Sequence, residues 1–322
     1  MASWRVAALA GIMLLATGLR SWGLLSGELV WHPDELVFSV AKPLVLLSGD
    51  FNPHFFTYPS FHLYQLGVLS GLHFLADLFW QNTDRLQPWV ARRLLWEPEL
   101  TRDLARWLSV LYAIATVWLT ALVAGRLGGD SSVERSSTLA TATSTAGLSA
   151  ALFVTVNVLL LRQAPIADTD TPLVFWFSCA VWASLRLLDD ASLCRYLTAG
   201  ALVGACAATK YPGASVAVAV LAAHLMARRS ILHPRLWLAG GMSLLTFLLL
   251  SPYTVLDFET FRLYFVQQLH HAADGRWNVQ HGPLFPLTHT LRYGWGTIVW
   301  LGWLTICGWI LWNRSTRHLV VL

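Results

Sequence analysis

Charge is scarce in this sequence. Of its 322 residues 56% are hydrophobic and only 12% charged, against about 25% charged in an ordinary soluble domain, and the mean hydropathy is +0.53. Water is thereby excluded as the main solvent. Cysteine is scarce as well: Cys179, Cys194, Cys206 and Cys307 fall in or beside apolar stretches without metal-ligand spacing, which predicts neither a disulfide framework nor a zinc site. The formal charge is only +4 and the basic residues are scattered, so a nucleic-acid partner has no electrostatic footprint. With no fixed-period repeat and no stretch of soluble-domain composition, one polytopic domain is expected over residues 1–322.

What fills the chain is apolar sequence. Uncharged runs such as 108–124, 236–250 and 299–311 approach, with their flanks, the roughly 20 residues that span a hydrocarbon core. Seventeen tryptophans, among them Trp31, Trp89, Trp96, Trp277 and Trp295, suit an interfacial aromatic belt. Apolar segments read at 6–24, 60–80, 104–124, 138–161, 172–188, 196–209, 213–227, 236–251 and 293–312. Arg5 precedes the first, and no small-residue cleavage site follows it, so an uncleaved span is expected rather than a signal peptide.

Loop charge orients these segments. Arg126 with Arg135, Arg186 with Arg195, Arg228 with Arg229 and Arg235, and finally Arg314 with Arg317 flank the later segments; the positive-inside rule makes those turns cytoplasmic. With Arg5 also inside, segment 60–80 cannot cross. It holds His62, Gln65, His73 and Asp77, more polar groups than its neighbours, and reads as a helix lying in the interface or re-entering the outer leaflet. About eight spans result. The same parity predicts a long outer loop over 25–103 with surface helices at 36–48 and 60–80, and further outer turns at 162–171, 210–213 and 252–291.

Three short motifs on that predicted outer side could carry chemistry. The first is His32-Pro33-Asp34-Glu35, just past the first span. Pro followed by two acids is an ordinary helix start, yet a carboxylate where a span leaves the bilayer is also placed to act as a base on a membrane-bound substrate. The second is Asp168-Thr169-Asp170-Thr171-Pro172. Its acids could cap the helix that Pro172 begins, or offer two hard oxygen ligands to a divalent cation. Lys210, before Tyr211-Pro212-Gly213, is the third: a snorkelling lysine, or a cation aimed by a helix break at a phosphate. Arg162 is the natural second cation, and His54 and Tyr58 in the stretch 52–59 could line the same site.

Taken in order and spacing, HPDE, SGDFNPHFFTYPS, DTDTP and ATKYPG resemble the bacterial dolichyl-phosphate-mannose-protein mannosyltransferase family, over about residues 6–260. The family is of glycosyltransferase family 39 type. The resemblance implies an all-helical membrane enzyme of the GT-C fold that moves a sugar, with inversion, from a polyprenyl-phosphate carrier to a protein, lipid or glycan acceptor outside the cytoplasm. It implies Asp34 as the catalytic acid of the first outer loop, Glu35 as its partner, Asp170 as the acid of the second, and Lys210 as a cation near the carrier phosphate. Relatives commonly continue with further spans, so a chain ending at Leu322 implies a compact member or a piece of a longer enzyme.

Displacing a lipid phosphate from an anomeric carbon needs a base for the incoming hydroxyl and positive charge for the leaving group. The motifs supply Asp34 as base, Glu35 and Asp170 as orienting carboxylates, Asp168 and Asp170 as ligands should a divalent cation be used, and Lys210 with Arg162 for the phosphate. Two readings compete with an enzyme of the inner, plasma membrane: a transporter, whose sites also use broken helices but near the midplane, and a scaffold in which the acids only cap helices.

Overall fold

The computed structural model describes residues 3–27, 32–128, 137–227 and 230–273, and 285, 288–289, 291–297, 300–302 and 304–305 of the remainder. All regular structure among the described residues is helical. The helices are α1 (Ser3–Ser26), a π-helical turn (Glu35–Ala41) running into α2 (Lys42–Leu46), α3 (Phe61–Phe79), α4 (Leu86–Leu95), α5 (Pro98–Leu127), α6 (Thr138–Ala142), α7 (Thr145–Val156) and α8 (Val158–Gln163). They continue as α9 (Asp170–Leu187), α10 (Leu193–Thr209), a 3₁₀ turn (Tyr211–Val216) entering α11 (Ala217–Met226), α12 (Pro234–Leu250), α13 (Tyr253–Leu256), α14 (Phe258–Ala273) and α15 (Leu291–Trp295).

Two described helices, α1 and α5, are long and apolar enough to cross a membrane. The predicted segment 293–312 falls largely outside the described residues, as do Trp31, Arg135, Arg228, Arg229, Arg276, Trp277, Cys307, Arg314 and Arg317. Helix α5 is the centre of the bundle, packing against α1, α7 and α9 and, near its first turns, against the π-helical turn, α3 and α4. Helices α10 and α12 form the closest pair. A Cβ on Gly200 would stand 2.2 Å from the Ala239 carbonyl, and one on Gly204 2.3 Å from that of Ser243, so this small-xxx-small stripe is what lets the two backbones meet.

One expectation needs correction. Segment 138–161 is not one continuous helix: it is broken into α6, α7 and α8, because Ser144 accepts from Gly147 N–H at 3.0 Å and Asn157 from Leu160 N–H at 3.1 Å, each starting a new helix as its N-cap. Over 36–48 Leu36, Val37 and Val45 are exposed, whereas Phe38 and Leu46 are buried against α3 and α5 and Val40 and Leu44 against α3 and α4; residues Glu35–Ala41 are wound as a π-helix whose closing bond runs from Lys42 N–H to the Val37 carbonyl. Pro43, which has no N–H, follows at once, so no i to i−4 bond can replace it there. Arg93, only 6% exposed, joins α4 to α3 by bonding Asp77 at 2.5 Å and Glu97 at 2.7 Å.

Candidate active site at one end of the bundle

The HPDE segment begins the π-helical turn in the manner of a capping box: Glu35 N–H donates to the His32 carbonyl at 3.0 Å, and the Glu35 carboxylate reaches back to accept from His32 N–H at 3.0 Å. Glu35 is fully buried. Its two oxygens also receive Arg106 of α5 at 2.7 and 2.6 Å and Ala167 N–H at 3.0 Å. Burial alone would raise this carboxyl, but those donors hold it below the ordinary carboxylate range. The Ser39 hydroxyl donates to the Ala167 carbonyl. One buried carboxylate thus fastens the first loop, the central helix and the turn before α9 together.

Asp34 behaves differently from its neighbour. It is exposed, its side chain makes no capping hydrogen bond, and its carboxylate has no hydrogen-bond or ion-pair partner among the described residues. It acts on Tyr58, whose phenol is pushed up to about 12 by burial and then by the charges of Asp34, Asp170 and Asp168. Three carboxylates therefore face one neutral phenol.

The other two come from the turn into α9. Asp168 accepts from Gln163 Nε2 at 2.5 Å and from Asp170 N–H at 2.9 Å, an Asx-type turn that sets the start of the helix. Burial first, and Asp170 second, push its carboxyl up to about 6. Asp170 accepts from the Lys210 ammonium, which also lies 5.4 Å from the centre of the Tyr58 ring. Lys210 ends α10 in an extended conformation, and Pro212 with Gly213 prevents the helix from continuing. A Cβ on Gly213 would fall 2.5 Å from the Cys206 carbonyl. Tyr211 donates to the Phe56 carbonyl at 2.9 Å, Ser60 N–H donates to Ser251 Oγ at 3.0 Å and Asn52 Nδ2 to Asp257 at 2.8 Å; these bonds strap the loop 50–60 over the break.

Asp34, Glu35, Tyr58, Asp168, Asp170 and Lys210 are thus brought together from four separated segments. His54 and Arg162 are not. His54, held at φ +45°, pairs with Asp50 at 2.9 Å and approaches Asp257 at 3.8 Å. Arg162 shares a face of α8 with Val158 and Leu159 and lines a groove with Phe285, His289 and Tyr293, whereas Gln163, one residue on and about 100° around the helix, turns to Asp168. Among the described residues no three His, Cys, Asp or Glu side chains converge on a metal position, and the Lys210 ammonium already supplies the positive charge on Asp170.

Sequence reasoning passed over Arg106 and Gln163, which hold Glu35 and Asp168 in place. Arg106 could have been found as the one charged residue of the apolar segment 104–124, where a charge marks a site by default.

A helical bundle with carboxylates and a cation gathered at one helix-end surface is a fold able to act on polar groups at a membrane edge. Residues 99–254 match the model of the dolichyl-phosphate-mannose-protein mannosyltransferase family, and the chain is mannosyltransferase-like over that part. The family it resembles there is one of glycosyltransferases of the GT-C type. The match includes Arg106, Asp168, Asp170 and Lys210, and ends short of the HPDE and FFTYPS strings on its N-terminal side. No curated protein matches the chain.

Proposed function

We propose that the chain, as one polytopic domain of about eight spans, transfers a hexose from a polyprenyl-phosphate carrier to an acceptor at the extracytoplasmic face of the plasma membrane, inverting the anomeric centre. One observation carries the reading: in a cluster where Glu35, Asp168 and Asp170 are each committed to protein donors, the Asp34 carboxylate is exposed and has no partner among the described residues. A carboxylate so placed can take the proton of an incoming hydroxyl as it attacks the anomeric carbon. The sugar–phosphate bond then breaks, and its electrons leave with the phosphate.

Lys210 lies close enough to move between Asp170 and that leaving phosphate as a mobile point charge. Arg162, with no hydrogen bond or ion pair to any described residue, offers a second cation beyond α8. Glu35 acts by holding the Asp34 loop, and no step is routed through a metal.

The outer-loop reading of 61–79 gains support from α3 itself. Its exposed side chains Val68, Leu72, Leu75 and Phe79 (64, 58, 56 and 77% exposed) follow a helical stripe, while His62, Leu63, Leu66 and Ser70 are buried on the opposite face. That division suits a helix lying in the interface.

The decisive experiment compares purified chain given a labelled polyprenyl-phosphate sugar and acceptor with the same chain sealed in vesicles. Inverted product formed without translocation supports the transferase. Uptake of the sugar without a new glycosidic bond would replace it with the transporter reading.

A further inference from the structure

Arg20 lies well inside α1, the first of the two helices long enough to cross a membrane, and is 1% exposed. A charge there is expensive unless it is partnered. Its Nη2 donates to the Val154 carbonyl at 2.9 Å and Nη1 to the Thr155 carbonyl at 3.3 Å. These are last-turn carbonyls of α7, left without helical donors because Asn157 leaves the helix at ψ 116° and starts α8. Arg20 therefore caps the break from a neighbouring helix. Its Nε is buried with no protein partner.

Beside Arg20 is a cavity of about 50 Å³ whose polar lining comes from Arg20, Thr116, Gln163, Asp170 and Thr171. The rest of its wall is apolar, from Ala113, Val154, Leu160 and Val174. It is bordered by two side chains that shape the site: Asp170 itself and Gln163, whose amide holds Asp168.

We propose that Arg20 is a positioning residue for sugar transfer: by capping the last-turn carbonyls of α7 it fixes the α7–α8 break, so that Gln163 at the end of α8 holds Asp168. The proposal rests on the glycosyltransferase reading above. Its chemical sense lies in Lys210. When that ammonium turns to the leaving phosphate, the acidic turn stays in place because Gln163 still holds Asp168.

The test is a cycle of Arg20→Met with Gln163→Ala, with Arg20→Lys as the conservative variant. In the parent, Arg20→Met is expected to lower kcat about 10-fold or more with donor KM within about 3-fold, and Arg20→Lys to recover part of the loss. On the Gln163→Ala background the same change should cost less than about 3-fold, because coupled residues are non-additive. Unfolding midpoints of the four proteins should show the same coupling without reference to activity. Additive effects in both readouts, or a fall in folded yield with kcat per folded molecule unchanged, would overturn the proposal. A parent that folds and shows the unfolding coupling but transfers no sugar would leave the link from Arg20 to Gln163 standing and remove the transferase reading instead. If Arg20→Met does not insert, Arg20→Lys carries the same cycle.

Discussion

Helix α5 carries arginines near both ends, and Arg106 and Arg126 are used in opposite ways. Arg106 meets Glu35, 71 residues away, in a fully buried two-pronged pair that also receives the Ala167 amide. Arg126 meets Asp189 in the turn between α9 and α10, with half-buried side chains and Arg186 close by. Near Asp189 the arginines mostly close off turns: Arg195 donates to the Arg186 carbonyl at 2.6 Å, and Arg235 to that of Ala191 at 2.6 Å. At the Arg106 end, charged groups draw remote segments together and leave Asp34 free in their midst. Fastening is the work of one end, and assembly of a reactive cluster the work of the other.

The largest effect should come from the unpartnered acid. Asp34→Asn keeps size and shape, and since the Asp34 side chain caps nothing, the fold should be unaltered. An amide cannot accept the acceptor's proton, so transfer is expected to fall by about 10²–10⁴-fold while folded yield stays at the parental level. Turnover within a few-fold of the parent would erase the distinction between Asp34 and the fastening residues.

The next effect belongs to the fastener. Glu35→Gln leaves Arg106 buried against an uncharged amide, and breaking such a pair costs about 3–5 kcal/mol. Unfolding in detergent should show it. The double change Glu35→Leu with Arg106→Met should lose much less, because neither charge is then stranded. Per folded molecule, Glu35→Gln should retain more transfer than Asp34→Asn; the reverse order would make Glu35 the reacting carboxylate.

How far the sequence foretold these roles depends on the residue. HPDE, DTDTP and KYPG were placed on one side of the membrane by span parity alone, and their side chains do converge. The partners that hold them were not legible. An arginine in α5 cannot announce a carboxylate 71 residues away, and the break at Asn157, which re-aims α8, hides in a run whose hydropathy suits one continuous span. Asn157 and Arg20 were nevertheless visible as polar residues in apolar segments, and the cost of burying such groups was the available signal. His54 misled for the opposite reason: a motif neighbour was read as a site neighbour, whereas the turn around it directs the ring to Asp50.

Asp168 offers a smaller effect with a defined sign. Its carboxyl is raised by burial and by Asp170 to about 6 in the folded protein, against about 3.9 unfolded. A raised carboxyl contributes its stability below the unfolded value and loses it as pH rises through the folded one, since above about 6 the fold must bury an ionised group. Asp168→Asn should thus be more stable than the parent at pH 8, by on the order of 1–3 kcal/mol, and the gap should close toward pH 4. Asn Oδ1 can still accept from Asp170 N–H, and the Gln163 amide can turn over to suit it. Unfolding midpoints across that range check the sign: a variant less stable than the parent at pH 8 would mean that Asp168 fastens the turn as an ion, as Glu35 does in its own place.

The smallest effect tests the quiet end of α5. Asp189 and Arg126 are 32% and 17% exposed, and Asp189 also has Arg186 at 3.6 Å, so its charge is shared and partly screened. Pairs of this kind are worth about 0.2–1 kcal/mol. Asp189→Asn can still accept a hydrogen bond from Arg126, and the turn keeps its backbone bonds from Asp189 and Asp190 N–H to Arg186. Stability should therefore drop by less than about 1 kcal/mol and transfer should be unchanged. The informative outcome is the opposite one. If Asp189→Asn slowed transfer about as much as removal of a general base does, 10²-fold or more, charge at this end would be coupled to the reaction through the length of α5. The contrast between a fastening end and a reacting end would then have to be given up.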